Sequence, residues 1–375
     1  AAKRGLPEDI LPLWVADMDF PSPPEVLDAL AEKCRHGILG YSDAADEGYF
    51  GALAKWYSER FGWLISPEWL VKAPGVVFAI CAAIRALTEE GDAVLIQQPV
   101  YYPFSESVHA NGRRLVVSEL VYSDGKYSVD LKDFEDKIKR EKVKLFILCS
   151  PHNPVGRVWR IDELSAMGEI CLRYGVKVVS DEIHADFVYP GNRHQVFAAI
   201  SPELAEITVT CTAPTKTFNL AGLQISNILI SDPALRSRFR QEIRKTGYSQ
   251  PNIMGLVACR AAYEHGAGWL DELMAYLGSN LDFVRDFLAR EIPQVRLVEP
   301  EGTYLVWLDF RALGLTDREL DDLIVNKAKL WLDAGTMFGA SGTGFQRINI
   351  ACPRSILERA LRQLKDALDS IGAAR

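Results

Sequence analysis

The feature that most constrains this chain is a series of short strand-like runs, rich in aliphatic and β-branched residues, with helical spacing between them. The runs are 93–96, 114–117, 145–149, 176–179, 207–210 and 226–230. Runs of this length bounded by turns are typical of strands buried on both faces, and helices between them produce parallel neighbours. The pattern therefore predicts an α/β fold with a mostly parallel sheet covered by helices on both faces.

Several helix ends are marked by their residues. Ser22 precedes two prolines and is predicted to cap the helix that follows. Gly175 is predicted to close a helix from about Asp162 to Tyr174 in the left-handed conformation. Thr316 and Glu319 have the spacing of a capping box, which predicts a helix start at that point.

The C-terminal third has a different texture. Long helical segments at 253–265 and 270–291 precede a strand-like run at 304–308 and a glycine-rich loop. A chain of 375 residues is long enough for two domains. We predict a large cofactor-binding domain at 38–265, and a smaller α+β domain built from 266–375 together with an N-terminal arm at 1–37.

Composition argues against several classes of function. The net charge is −8 with both signs interspersed, so there is no basic stripe of the kind that binds nucleic acid. The six histidines are dispersed rather than clustered as metal ligands, and no G-x-G-x-x-G follows the first strand. No apolar run reaches membrane-spanning length.

The cysteines and the first residues bear on location. The seven cysteines are scattered and never form C-x-x-C, which favours a reducing compartment. The first residues do not have the pattern of a signal peptide. We therefore expect a cytoplasmic protein.

Polar residues follow three successive predicted strands. Asn153 comes after the run 145–149, Asp181 after the next run, and Lys216 after the run 207–210. In open α/β sheets ligands bind beyond the carboxyl ends of the strands. Singly, these residues are ordinary in turns, helix caps and loops. Together they suit pyridoxal 5′-phosphate, which needs an amine for its aldehyde, a carboxylate at its ring nitrogen and a donor near its ring oxygen.

Longer motifs around these residues resemble a known family. The segments 150–156 (SPHNPVG), 180–184 (SDEIH) and 213–222 (APTKTFNLAG) resemble fold-type I pyridoxal-phosphate enzymes of the aminotransferase class I/II superfamily. The segments 11–20 and 345–353 resemble the MalY/PatB group of cystathionine β-lyases, also called C–S lyases. The similarity runs from about Leu11 to the C-terminus. It implies a three-layer fold-type I transferase fold and a homodimer.

The resemblance implies how the cofactor ring is held. Lys216 is the residue that binds the aldehyde, Asp181 holds the ring nitrogen, and Asn153 lies near the ring oxygen. Tyr101 stacks on the ring. His184 stands where aminotransferases commonly have a tyrosine that helps hold the ring oxygen, and this departure fits the C–S lyase group.

The resemblance also implies a phosphate site. Backbone N–H groups of Val76 and Val77 at a helix N-terminus, and the Thr215 hydroxyl, are expected to bind the phosphate. Tyr41 is expected to reach the phosphate of the other subunit, so that each site is a product of dimerisation. Many relatives place an arginine eight residues beyond the lysine, where this chain has the neutral Gln224.

The resemblance also implies a set of substrate contacts. Arg347 is implied as the residue that binds the substrate α-carboxylate, because a planar guanidinium offers two parallel hydrogen bonds. Asn153 is expected to contact substrate as well as cofactor. The backbone around Val15 and Ala16 is expected to line the pocket, and Tyr102 to take part in catalysis.

The resemblance implies a C–S β-lyase that cleaves cystathionine or a related cysteine S-conjugate. In that reaction Lys216 removes the Cα proton, a thiolate leaves from Cβ, and the remaining fragment hydrolyses to pyruvate and ammonia. An aminotransferase is the alternative, since both reactions begin with the same proton removal. A non-catalytic protein that keeps the fold is a further alternative, although Lys216, Asp181 and Arg347 are all present.

Overall fold

The computed structural model describes residues 7–42 and 47–372, in which strands and helices alternate along the chain. The strands are β1 (Leu11–Pro12), β2 (Leu70–Ala73), β3 (Ala93–Gln98), β4 (Arg114–Ser123), β5 (Lys126–Val129), β6 (Leu145–Cys149), β7 (Lys177–Asp181), β8 (Thr208–Thr212), β9 (Ser226–Leu229), β10 (Arg296–Val298), β11 (Leu305–Asp309), β12 (Leu330–Trp331), β13 (Asp333–Ala334) and β14 (Phe345–Asn349). The helices are α1 (Pro24–His36), α2 (Glu47–Phe61), α3 (Val76–Leu87), α4 (Pro103–Ala110), α5 (Leu131–Glu141), α6 (Ile161–Tyr174), α7 (Pro202–Glu206), α8 (Pro214–Thr217), α9 (Pro233–Lys245), α10 (Ile253–His265), α11 (Ala267–Glu291), α12 (Asp317–Asp322) and α13 (Arg354–Gly372).

The larger sheet has the strand order β2-β9-β8-β7-β6-β3-β4-β5. Strands β8, β7, β6, β3 and β4 run parallel to their neighbours in this series. Strands β2, β9 and β5 pair antiparallel at the two sides. Every residue of β6 and of β8 is buried, as expected for strands covered on both faces. The predicted α/β fold with a mostly parallel sheet is confirmed.

Helices cover both faces of this sheet and make three layers. Ile147 of β6 packs with Ile80 of α3 and Phe239 of α9 on one face. The next residue along the strand, Phe146, points to the other face and packs with α5 and α6. Because successive side chains of a strand alternate between faces, one apolar strand builds two separate cores.

A smaller antiparallel sheet follows in the order β10-β11-β14-β13. Its strands share an apolar cluster with α11 and α13, which includes Val306, Ile348, Leu281 and Leu361. The short β1 pairs in parallel with β12, and this pairing brings the N-terminal arm onto the C-terminal part of the chain. The covered, mostly parallel sheet and the smaller antiparallel sheet agree with the fold that the resemblance implies, whereas the predicted domain limits at 38–265, 1–37 and 266–375 stay predictions.

Two of the predicted helix ends are confirmed. Gly175 follows α6 with φ 68° and accommodates the left-handed turn. The hydroxyl of Thr316 accepts the N–H of Glu319 at 3.3 Å at the start of α12, and the Glu319 carboxylate accepts the N–H of Thr316 in return. These reciprocal bonds form the predicted capping box.

The predicted cap at Ser22 is wrong. Helix α1 begins at Pro24, and its cap position is Pro23, which has no side-chain hydrogen bond. A helix that opens with proline has fewer free N–H groups at its start, so a capping hydroxyl has less to bind. The hydroxyl of Ser22 instead lies 3.4 Å from the carbonyl oxygen of Asn219.

Candidate active site

The carboxyl ends of β6, β7 and β8 bring three predicted residues to one edge of the sheet. Asp181 is the last residue of β7, in register with Cys149 of β6 and Cys211 of β8. Asn153 follows β6 by four residues, and Lys216 lies in α8, directly after β8. Asp181 and Lys216 lie close enough for the charge of each to shift the pKa of the other.

The environment of Asp181 disfavours the negatively charged form of its carboxyl. Only 4% of the residue is exposed, and its Oδ1 accepts the N–H of Ile183 at 3.1 Å. Burial raises the pKa of the Asp181 carboxyl to about 7, while the bond from Ile183 opposes the rise and Glu182 adds to it. A buried carboxylate is stabilised when a cation meets it, and a protonated pyridine nitrogen is such a cation.

Lys216 is also largely buried. Its Nζ donates a hydrogen bond to the carbonyl oxygen of Ala16. Burial lowers the pKa of the Lys216 amine to about 8, against an opposing effect of Asp17 and with a further lowering by Arg347. A lysine with this pKa is partly neutral near pH 7, and the neutral amine is the form that reacts with an aldehyde or accepts a proton.

This pKa predicts how covalent loading with pyridoxal phosphate depends on pH. The neutral fraction of Lys216 rises through pH 8, so the loading rate of cofactor-free protein should increase about tenfold per pH unit below pH 8 and then level off. Rapid mixing, followed by absorbance of the bound cofactor, measures the rate. Lysine amide with an acetylated α-amine, whose remaining side-chain amine has the ordinary pKa of about 10.4, is the control and should keep accelerating. A protein rate that still climbs tenfold per unit above pH 9 would contradict the prediction.

Two adjacent aromatic residues lie beside these groups. The Tyr101 N–H donates to the carbonyl oxygen of Asn153 at 3.1 Å. The Tyr101 and Tyr102 rings are 5.5 Å apart, and the Tyr102 ring is 6.3 Å from Phe338. Burial raises the pKa of Tyr101 to about 12, and Tyr102 and then Asp181 contribute further. The Tyr101 phenol is therefore a neutral, half-buried ring next to the Asp181 carboxyl.

His184 is buried in the same region and is neutral. Burial lowers the pKa of the His184 imidazole to about 3, and the charges of Lys216 and Arg347 lower it further. Within the described residues, His184 Nδ1 and Arg347 Nε have no hydrogen-bond partner. Buried polar atoms in native proteins are nearly always hydrogen-bonded. These two atoms leave hydrogen-bonding capacity that polar groups of a ligand can meet.

The residues present fit pyridoxal phosphate. One edge of the sheet carries a partly neutral amine, a buried carboxyl that can accept further hydrogen bonds, an amide and a flat aromatic ring. Polar atoms without hydrogen-bond partners lie beside them. Among the described residues, no group of three or more His, Cys, Asp or Glu side chains is arranged to hold a metal ion.

Arg347 lies on β14 and is held on several sides. Its Nη1 donates to Asn153 Oδ1 at 2.9 Å, and its Nη2 donates to the carbonyl oxygen of Trp14 at 2.7 Å. Nη2 also donates to the carboxylate of Asp333, which faces Arg347 across the β13–β14 pair. The guanidinium carbon lies 4.9 Å from the ring centre of Phe338. These contacts fix the plane of the guanidinium next to Asn153.

Replacement of Arg347 by lysine is expected to raise KM for the amino-acid substrate by about 10- to 100-fold. A lysine keeps the charge but loses one of two parallel charge-assisted hydrogen bonds, each of which contributes about 1.5–3 kcal/mol. Steady-state kinetics measure KM and kcat separately, and thermal unfolding checks that the variant is folded. An unchanged KM with a large loss of kcat would contradict a carboxylate-binding role.

The first turn of α3 lies at the same edge as α8. Strand β2 ends at Ala73 beside the β9–β8 pair, and α3 begins at Val76, so the N–H groups of Val76 and Val77 start at the edge where α8 begins. The first N–H groups of a helix have no partner within it and suit a phosphate. Thr215 is buried within α8, and Gln224 lies exposed in the following turn.

Tyr41 lies apart from the other predicted site residues. It is 94% exposed and borders a surface groove between α1 and α10, together with Arg35 and Leu256. The neighbouring Ser42 donates to the carbonyl oxygen of Pro251 at 2.7 Å. The Tyr41 side chain is therefore available to contact another molecule. Its predicted role at the phosphate site of a partner subunit stays a prediction.

The N-terminal arm contributes backbone groups to the site. The carbonyl oxygen of Ala16 accepts hydrogen bonds from Lys216 Nζ and from the Tyr304 hydroxyl, the latter at 3.1 Å. Val15 beside it is 41% exposed. Four residues that contact this region were not identified from the sequence: Asp333, Tyr304, Asn219 and Asn349. The sequence signals available were modest, since Asn219 is three residues from Lys216 and Asn349 two from Arg347.

Comparison with known proteins gives a consistent result. Residues 8–364 match the family described as aminotransferase class I and II. The chain is 45% identical over 360 residues to cystathionine beta-lyase PatB of Bacillus subtilis, a match that covers 96% of this chain and 93% of PatB.

In the described residues, no helix is both long enough and apolar enough to span a membrane.

Solved structures of pyridoxal-phosphate enzymes share the fold of this chain. Cystalysin from Treponema denticola, which contains a pyridoxal 5′-phosphate cofactor, superposes with a TM-score of 0.95 at 38% identity, covering 98% of this chain and 93% of cystalysin. The pyridoxal-phosphate-bound C–S lyase from Staphylococcus hominis superposes with a TM-score of 0.92 at 34% identity, covering 98% of this chain and 93% of that one.

Proposed function

This chain belongs to the aminotransferase class I and II family, and we propose from that premise that it is a pyridoxal-phosphate-dependent carbon–sulfur lyase. Its substrate is cystathionine or a related cysteine S-conjugate, and its products are a thiol, pyruvate and ammonia. The observation that carries the proposal is the likeness of nearly the whole chain to a protein named cystathionine beta-lyase. Lys216, Asp181 and Arg347 give that likeness a chemical basis.

Pyridoxal phosphate, when bound, supplies an electron-withdrawing ring that stabilises negative charge at the substrate Cα. Asp181 holds a proton on the ring nitrogen, because a buried carboxylate favours a cation as its partner. Tyr101 would lie against the ring, and the N–H groups of Val76 and Val77 at the start of α3 would bind the phosphate. This set of residues fixes the ring before any substrate arrives.

Arg347 and Lys216 then act on the substrate. Arg347 binds the α-carboxylate through parallel N–H donors and so fixes which bonds at Cα face Lys216. The neutral amine of Lys216 takes the Cα proton, and the electron pair left behind forms the Cα–Cβ double bond as the thiolate leaves. The proton on Lys216 can pass to the leaving sulfur. The released unsaturated amine hydrolyses in water to pyruvate and ammonia.

A product analysis tests this reaction. Purified protein loaded with pyridoxal phosphate is incubated with cystathionine, and thiol, pyruvate and ammonia are measured over time. A lyase releases the three in equal amounts without any added keto acid. Absence of thiol release, with amino-group transfer only when a keto acid is added, would contradict the lyase and support an aminotransferase. Transamination is the second candidate because the description of the family names aminotransferases.

The proposal includes a homodimer in which Tyr41 reaches the phosphate of the partner subunit. The exposure of Tyr41, with Ile38 and Leu39 also exposed beside it, supports a surface that another chain covers. Light scattering of the loaded protein should give twice the mass of one 41.8 kDa chain. A mass of one chain at micromolar concentration would rule this out.

A further inference from the structure

Residues 13–20 form a segment without regular secondary structure that lies across the candidate site; we call this segment the strap. It follows β1 and precedes α1. Its carbonyl groups contact two predicted functional side chains: Trp14 O accepts from Arg347 Nη2 at 2.7 Å, and Ala16 O accepts from Lys216 Nζ. The strap therefore touches both the amine and the guanidinium of the site.

Asn219 anchors one end of the strap. Its Oδ1 accepts the N–H of Met18 at 3.0 Å, and its Nδ2 donates to the carbonyl oxygens of Met18 and Phe20, each at 2.9 Å. Asn219 has a φ of 56°, in the left-handed region that asparagine tolerates better than most residues. It lies three residues after Lys216, so one short segment carries both the amine and this anchor.

Asn349 anchors the other end in the same way. Its Nδ2 donates to the carbonyl oxygens of Val15 at 2.7 Å and of Asp17 at 2.6 Å. Its Oδ1 accepts the N–H of Ala351 at 2.7 Å, and its own N–H donates to the carbonyl oxygen of Leu13 at 2.9 Å. Asn349 is two residues after Arg347 on β14, so the guanidinium and this second anchor also share one segment.

We propose that Asn219 and Asn349 are positioning residues, which fix the strap so that its carbonyl groups orient Lys216 and Arg347. This inference rests on the lyase function proposed above. A neutral amine has one lone pair, and donation of an N–H to Ala16 O limits that lone pair to the two remaining tetrahedral positions. The Tyr304 hydroxyl donates to the same oxygen, and a carbonyl can accept two such bonds. Trp14 O restrains Arg347 by the same principle.

A purely structural role is the competing explanation, and Asn280 supplies a matched control. Asn280 is buried, and its Nδ2 donates to two carbonyl oxygens, those of Ile350 and Cys352, each at 2.9 Å. It lies on α11 and, among the described residues, has no hydrogen bond to the strap. Its partners flank Ala351, whose carbonyl oxygen accepts the N–H of Asp19 in the strap. Asn280→Ala removes the same kind of amide bridge one step further from the site, so it should lower stability while altering the orientation of Lys216 less than either anchor variant.

The test compares Asn219→Gly, Asn349→Ala and Asn280→Ala. Glycine at 219 keeps the left-handed backbone unstrained and removes only the amide. We expect Asn219→Gly to lower kcat by about 10- to 100-fold with KM little changed, because a general base displaced by about 1 Å loses about that much rate. We expect Asn349→Ala both to lower kcat and to raise KM. Its partners Val15 and Asp17 flank Ala16, the contact of Lys216, and Val15 also follows Trp14, the contact of Arg347. Asn280→Ala should change neither by more than its effect on folding.

Hydrogen exchange of strap amides in cofactor-free protein is the second readout. The Met18 amide should exchange faster in Asn219→Gly, and covalent loading with pyridoxal phosphate should slow in the same variant. If strap exchange accelerates while loading and kcat match those of Asn280→Ala, the positioning role is wrong. If wild-type protein releases no thiol, the lyase proposal is wrong, whereas exchange and loading still decide whether the anchors orient Lys216.

Discussion

Replacement of Lys216 by alanine is expected to lower kcat/KM for thiol release by about ten-thousandfold. The variant loses the group that forms the covalent bond to the cofactor and the base that removes the Cα proton, and a positioned base alone contributes up to about 10⁴-fold. His184, a buried imidazole whose pKa is affected by the charge of Lys216, is neutral and a poor base, because burial lowers its pKa to about 3. His184 therefore does not replace the lost amine near pH 7.

The variant Lys216→Arg tests the basic amine separately from the positive charge, because it keeps only the charge. Arginine can still donate to the Ala16 carbonyl, but it stays protonated and has no basic lone pair near neutral pH. Both variants should bind pyridoxal phosphate without a covalent bond, which reduction with borohydride and mass measurement will detect as unmodified protein. Thiol release by Lys216→Ala at more than about a hundredth of the wild-type rate would show that another group is the base.

The sequence predicted the strands that carry the chemistry because local composition decides them. The run 145–149 is buried along its whole length in β6. A strand buried on both faces is recognisable in sequence as a nearly continuous apolar run. The position of Asp181 and Lys216 at one edge follows from chain direction alone, since parallel strands end on the same side. The hairpin of β4 and β5 was missed, although Asp124-Gly125 at its turn, with φ values of 51° and 79°, is a recognisable hairpin signal.

The resemblance implied that the backbone of Val15 and Ala16 lines the pocket, but the anchors of the strap could not be predicted from sequence. Asn219 bonds to Met18 across 201 positions, and Asn349 to Val15 across 334. The accepting groups are main-chain carbonyls, which every residue carries, so the strap side of these contacts has no sequence signature. Asp333 was missed for a related reason: it faces Arg347 only through the pairing of β13 with β14.

Replacement of Asp181 by asparagine is expected to lower kcat by about two to three orders of magnitude. Asparagine has a similar shape but no charge, so it cannot hold a proton on the ring nitrogen, and loss of one partner of a buried ion pair costs about 3–5 kcal/mol. Steady-state kinetics of loaded protein measure the loss. Asp181→Glu keeps the carboxylate one methylene further out and should retain more activity than the asparagine variant. Equal activity of the two variants would contradict a role for the charge.

The same substitution should stabilise the cofactor-free protein at alkaline pH. In the folded protein, burial raises the pKa of the Asp181 carboxyl to about 7. The stability that depends on this carboxyl being protonated is therefore full below the unfolded pKa of about 3.9 and is lost as the pH rises through about 7. Asparagine does not ionise and escapes this loss. In urea unfolding, Asp181→Asn should therefore gain on the order of 2–4 kcal/mol relative to wild type between pH 4 and pH 8. A variant that loses activity while its relative stability falls over this range would indicate damage to the fold, because removal of an uncompensated buried charge has the opposite sign.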